Sequence, residues 1–272
     1  MTDVSPLTYG RYLKVPDLLR LQHRLTDAHD ELQFIVVHQV FELWFKLLLF
    51  ELEAIRAALF AGAIDGALHL LRRTHEIVKV LTAGWPVIET MRPVDFLEFR
   101  SELKPASGFQ SVQFREIEYL SNLKDPRYLE AFRDDPEATR RLRARLEEPT
   151  LWDAFVALLR ARGKPAGSDE EILQTAIQLQ RRTEDVDLYE LVEALVTYDQ
   201  LFVAWRARHV LMTERMIGAR PGTGQLAVAK VVGEPTPGAG EIEYFSGVHY
   251  LRTTTDKRFF PLLWESRTFV ER

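Results

Sequence analysis

Residues 188–216 constrain the fold more than any other stretch of the chain. Leu188, Leu191, Leu195, Tyr198, Phe202, Trp205, Met212 and Met216 recur at alternating spacings of three and four. That rhythm sets them on one stripe of a single long helix, which other helices must cover along its length. One stripe position, between Trp205 and Met212, holds His209 instead, flanked by Arg206, Arg208 and Arg215. An imidazole where the stripe calls for Leu or Phe is either hydrogen-bonded to a neighbour or holding a metal. Alone, such a histidine is more often a satisfied core residue than a ligand.

A second stretch repeats the anomaly. Thr26, Asp27 and Asp30 offer N-caps for a helix over about 30–60, on which Phe34, His38, Phe41 and Phe45 share a face. Glu42 and Lys46 are spaced as an i,i+4 ion pair on a more polar side. Two imidazoles in aromatic stripes of two long helices, without any HExxH pattern, fit a cofactor pocket better than coincidence. The chain has no cysteine, so disulfides, thiolate metal sites, iron–sulfur clusters and cysteine nucleophiles are excluded.

The other elements read as helices. After the break at 61–63 a third helix is expected over about 65–82, its His69 and His75 being surface or packing residues. Another follows Trp85-Pro86 to about Met91, and Asp95 is a plausible cap for a short helix bearing Phe96, Phe99 and Arg100. Phe96 and Arg100 are i,i+4, a ring beside a guanidinium, which suits a ligand with an apolar body and an anionic end. Residues 104–120 turn and resume a helix. Dense charge over about 125–168 suggests short peripheral helices, with Trp152, Phe155 and Leu158 as their apolar stripe, and a helix over about 169–181 leads into the long one. Beyond Gly218 the segment 221–245 is rich in Gly and Pro and reads as a mobile loop; helix resumes over about 246–255, with a last short one ending at Phe269. No strand-period alternation occurs, so the expected fold is all-α: a single domain of long central and short peripheral helices.

Size and charge narrow the function. The 272 residues are 46% hydrophobic, enough for a large core, and the net charge of −5 is mixed along the chain. No basic stripe or polybasic segment calls for nucleic acid or an anionic membrane. The start, MTDVSPLTYGRYL, lacks signal-peptide regions, and the most apolar run, 34–50, is interrupted by His38, Gln39, Glu42 and Lys46. A cytoplasmic protein is expected.

At this point several segments, in order along nearly the whole chain, resemble the tryptophan 2,3-dioxygenase family. They are LTYGRYL, HDELQFIVVHQVFELWFK, FLEFRSELKPASGFQSVQFREIE, WRARHVLMTERMIG, GTG and SGVHYLRTT…KRFFPLLW. The resemblance implies a haem b between long helices, with His209 as proximal iron ligand and His38 as the distal histidine beside the indole N–H of bound L-tryptophan. It further implies that Phe34 and Phe96 pack on the indole and that Arg100 pairs with the substrate carboxylate. Ser107 would lie near the haem, and Thr223 would contact the substrate's ammonium and carboxylate. Tyr9 and Tyr12 would come from a neighbouring subunit, family members being homotetramers, dimers of dimers with exchanged N-termini. The implied reaction joins both atoms of O2 to L-tryptophan, giving N-formyl-L-kynurenine.

Two departures stand out. The family's GTGGSSG is interrupted here, with residues 225–245 inserted after Gly224, and its QHQTSELW reads VHQVFELW. The first favours a second reading, a related haem oxygenase inserting one oxygen into a modified tryptophan or another aromatic amino acid. A third, a haem-binding protein without catalysis, has no need for Arg100 beside an aromatic wall.

Overall fold

The computed structural model describes residues 6–181, 184–223 and 247–270. In chain order the helices are α1 (Tyr9–Tyr12), α2 (Val15–Leu18), α3 (Glu31–Phe60), α4 (Ile64–Ile88), α5 (Pro93–Arg100), α6 (Val112–Leu120), α7 (Pro136–Glu147), α8 (Leu151–Ala161), α9 (Asp169–Leu179), α10 (Val186–Ile217), α11 (Gly247–Thr253) and α12 (Pro261–Glu265). Short 3-10 turns occupy Gly108–Gln110, Pro126–Phe132 and Ser266–Phe269. Among the described residues there is no strand, and the all-α expectation holds.

The stripe read on 188–216 is realised as α10, with Leu188, Leu191, Leu195, Tyr198, Phe202, Trp205, Met212 and Met216 all buried. α4 lies between α10 and α3 and packs along both, while α6 and α8 cover the other flank of α3. Each apolar stripe thus meets another, as burial of roughly 25 cal/mol per Å2 of apolar surface requires. α8 sets Leu151, Phe155, Leu158 and Leu159 into this same core, with Trp152 partly buried against it. A smaller cluster gathers Phe109, Tyr119, Tyr128, Phe132 and Leu142 under α7.

Several local expectations give way to better-satisfied alternatives. The helix expected to stop near Thr82 runs through Pro86 to Ile88. Pro86 stands in the last turn, where its missing N–H forfeits one ladder bond, and burial of Trp85 and Ile88 offsets that loss. Asp30 occupies the N-cap of α3 without a side-chain cap bond. Instead the buried Glu31 carboxylate reaches back to the N–H groups of Leu25 and Thr26 and the Thr26 hydroxyl, at 2.7, 2.8 and 2.6 Å. Glu42 turns from Lys46 to accept from Gln113 Nε2 on α6 at 2.7 Å. Asp95 does not cap α5 but accepts two hydrogen bonds from Arg92 at 2.7 Å.

Interior polar groups tie the C-terminal segment to the bundle. One oxygen of the fully buried Asp199 accepts from Phe259 N, Phe260 N and Trp264 Nε1 at 2.9, 3.1 and 2.9 Å. Phe259, Phe260 and Leu263 are thereby pinned against α10. By length and composition α3 alone, among the described residues, could cross a membrane. Here one face of it fills the core, through Phe41, Phe45, Leu48, Leu52, Ile55 and Leu59.

Candidate functional site

The bundle brings the two anomalous histidines, which sit on helices separated by α4, into one chain of rings: Phe41 meets His38 at 6.0 Å and Trp85 at 4.8 Å, and Trp85 stacks on His209. Both are half-buried. They are near enough that a charge on His38 disfavours one on His209. Desolvation, with this repulsion added, pushes the His209 pKa down to about 3. Desolvation also lowers the pKa of His38, outweighing the opposing pull of the Phe34 carbonyl and of Glu42. Both rings are therefore neutral at physiological pH.

His38 has a fixed tautomer. Its Nδ1 lies 2.7 Å from the Phe34 carbonyl, which can only accept, so Nδ1 carries the proton and Nε2 keeps a free lone pair. The ring packs against Phe34, centroids 4.1 Å apart. Phe34 in turn meets Phe96 at 5.8 Å and Phe99 at 5.7 Å, so α3 and α5 together form an aromatic wall beside the imidazole.

His209 is held differently. Its ring stacks face to face on Trp85 of α4, with centroids 4.5 Å apart and planes 5° from parallel, and Trp205 stands at 5.7 Å. Among the described residues neither ring nitrogen of His209 has a hydrogen-bond partner. The indole N–H groups of Trp85 and Trp205 are also buried without partners. Buried polar groups are rarely left so, and here two of them belong to the rings packed around His209. A neutral imidazole with free nitrogens among aromatic rings is the donor chemistry that a haem iron takes. The residues present fit such a group.

At the mouth of the aromatic wall Arg100 ends α5, and its guanidinium donates to the Pro221 carbonyl just beyond α10. Partial burial and the like charge of Arg220 both draw its pKa downward, though an arginine stays charged throughout. Among the described residues Arg100 has no carboxylate partner, so a cation waits there uncompensated. Thr223 is half-buried two residues past Pro221. Ser107 is half-buried as well, but its hydroxyl is engaged in capping, accepting from Phe109 N at 3.2 Å.

Of the residues expected from sequence, Phe34, His38 and Phe96 come together directly, Arg100 shares α5 with Phe96, and His209 is reached from His38 through Phe41 and Trp85. Tyr9 and Tyr12 do not join them within one chain; they are 77% and 70% exposed on α1. The insertion at 225–245 lies outside the described residues. Trp85 was missed because the helix was expected to end at 82. Carried on through Val78, Leu81 and Ile88, the same apolar spacing would have placed Trp85 on the buried face of α4.

Comparison with known proteins agrees along the whole chain. A family model described as tryptophan 2,3-dioxygenase matches residues 1–174 and 168–270. A tryptophan 2,3-dioxygenase of a Nocardioides species is 50% identical over 97% of this chain and 95% of its own length. Proteins of the same name from Caulobacter vibrioides and Bacillus cereus are 38% and 37% identical, each over 96% of this chain and 98% and 92% of their own.

Proposed function

Because the chain belongs to the tryptophan 2,3-dioxygenase family, we propose that it cleaves the indole C2–C3 bond of L-tryptophan with O2, giving N-formyl-L-kynurenine. The observation that carries this reading is the uncompensated Arg100 beside an aromatic wall that includes one neutral imidazole and continues through Phe41 and Trp85 to a second. No simple haem carrier needs that combination.

Each group has a task set by its chemistry. Arg100 offers a forked, charged donor for the substrate carboxylate, and Thr223 a hydroxyl for its amino-acid end. Phe34 and Phe96 take the flat indole and keep water from it. His38, protonated at Nδ1, presents Nε2 as an acceptor for the indole N–H. That contact orients the ring without requiring His38 to remove a proton. His209 is the residue that would hold the iron of haem b, its lone pair kept available by desolvation. When bound, the haem supplies the ferrous iron that activates O2. Ser107 would border the cofactor.

Assembly belongs to this reading. Leu7, Tyr9, Tyr12, Leu19, Leu21 and Leu25 are well exposed along the N-terminal segment. Leu32, Val36, Val40, Leu43 and Phe50 form a second, exposed stripe on α3. Uncovered apolar surface on this scale supports a homotetramer, a dimer of dimers, in which Tyr9 and Tyr12 enter a neighbour's site. The enzyme would act in the cytoplasm.

The deciding experiment is mass spectrometry of the product formed from L-tryptophan under dioxygen labelled in both atoms. Two labelled atoms in N-formylkynurenine are expected. One labelled atom would favour the monooxygenase reading, and no product would overturn the substrate assignment.

A further inference from the structure

The last turn of α4 grips α10 at two consecutive residues. Trp85 lays its indole on the His209 ring, and Glu89, four residues on and so on the same face, accepts from the Arg208 guanidinium. Successive residues of a helix point about 100° apart. The two contacts therefore hold α10 from different sides, against rotation about its axis as well as sliding along it.

Glu89 stands where α4 alone would not ask for it. It is the C-cap of that helix, where a carboxylate opposes the helix dipole, and its side chain is only 12% exposed. The last turn of α4 has no basic residue of its own, and Arg208 supplies the missing cation from across the interface. Pro86, next to Trp85, gives up a ladder bond in the same turn. The stretch that carries Trp85 is thus held less by its own backbone and more by its neighbours. Toward α3, Gln33 donates to the Thr90 hydroxyl at 2.9 Å. Toward α10, the polar tie is Glu89 to Arg208.

We propose that Glu89, through Arg208, is a positioning residue for His209: the pair keeps Trp85 stacked on the imidazole and so fixes how that ring is offered to iron. The inference rests on His209 being the haem ligand of the reading above. An ion pair open to water on one side adds little to overall stability. At a helix C-terminus the neutral glutamine is the locally better residue. A merely structural Glu89 would therefore tolerate Glu89→Gln without loss.

The test changes Glu89 and Arg208 in the full chain, with and without Trp85→Leu. On haem-loaded enzyme the readouts are the rate of haem transfer to apomyoglobin and the iron–histidine stretching frequency of the ferrous form. On enzyme without haem, the readout is the rate at which diethyl pyrocarbonate modifies His209, followed by mass spectrometry. Glu89→Gln should speed haem transfer about 10-fold or more, as loss of an outer partner of a ligating histidine does. It should also shift the stretching frequency and quicken modification of His209. The charge-swapped pair, Glu89→Arg with Arg208→Glu, should restore all three. In Trp85→Leu enzyme the further change Glu89→Gln should add nothing, since the stack it serves is gone. Unchanged rates in Glu89→Gln, no rescue by the swap, or an equal effect in the Trp85→Leu background would overturn the inference. Should Glu89→Gln fail to accumulate, Arg208→Gln breaks the same pair from its more exposed side and reads the same loss. If the wild-type chain takes up no haem, the haem reading fails, and modification of His209 still decides whether the pair holds the ring.

Discussion

His209 is an imidazole held by packing alone, between two indole rings, with both nitrogens unpartnered among the described residues. A histidine kept for structure would have found a carbonyl, as His75 does at 2.9 Å from that of Ala194. Its replacement should therefore strike the cofactor before it strikes the fold. His209→Ala is expected to lose the Soret absorbance of purified protein while far-ultraviolet circular dichroism stays helical; full haem content in the variant would remove it as the iron ligand. Arg100 makes a different kind of contribution. Losing a charged hydrogen bond to the substrate carboxylate costs about 1.5–3 kcal/mol, a fall in kcat/KM of about 10- to 150-fold. The loss in Arg100→Ala should vanish for tryptamine, which has no carboxylate. An equal loss on both substrates would take Arg100 out of the clamp.

At the level of helices, sequence and structure part where a choice depends on a distant partner. The stripe of α10 and the aromatic face of α3 were legible because 3.6-residue periodicity is local information. So were Phe34, His38 and Phe96. Trp85 was not, because its burial depends on α4 continuing through Pro86, which tertiary packing decides. Nor was the fate of the arginines beside His209. Arg206 proves to be buried, donating to Glu118 of α6 at 3.2 Å, and Arg115 reaches the same carboxylate at 2.5 Å. Burial alone would raise the Glu118 pKa, but Arg115, Arg206 and Lys257 outweigh it and hold it below the ordinary carboxylate value. A group depressed in the folded state lends stability above its unfolded pKa and loses it as pH falls through the folded one. Glu118→Gln, which leaves two buried cations without their counter-ion, should cost about 3–5 kcal/mol in urea melts at pH 7. The gap to wild type should narrow as pH falls below the unfolded carboxylate's pKa and close only below the depressed folded one. A gap that persists in acid would assign the loss to packing instead of charge.

For the whole molecule, one chain supplies both histidines, the aromatic wall and Arg100, but leaves Tyr9 and Tyr12 exposed on a single helical turn at the periphery. If these rings complete a neighbour's site, a defect in them and a defect in Arg100 fall on different chains of the same site and can be separated. Tyr9→Ala/Tyr12→Ala chains keep their own Arg100 but cannot complete a neighbour. Arg100→Ala chains keep their tyrosines but have a crippled site. Neither assembly alone should turn over L-tryptophan well. When the two are unfolded and refolded together, one site in each mixed pair draws Arg100 from one chain and both tyrosines from the other. Activity should then rise above the mean of the parents, with sedimentation showing the same assembly in all three samples. Activity equal to that mean would confine each site to a single chain and leave the exposed N-terminal rings to assembly alone.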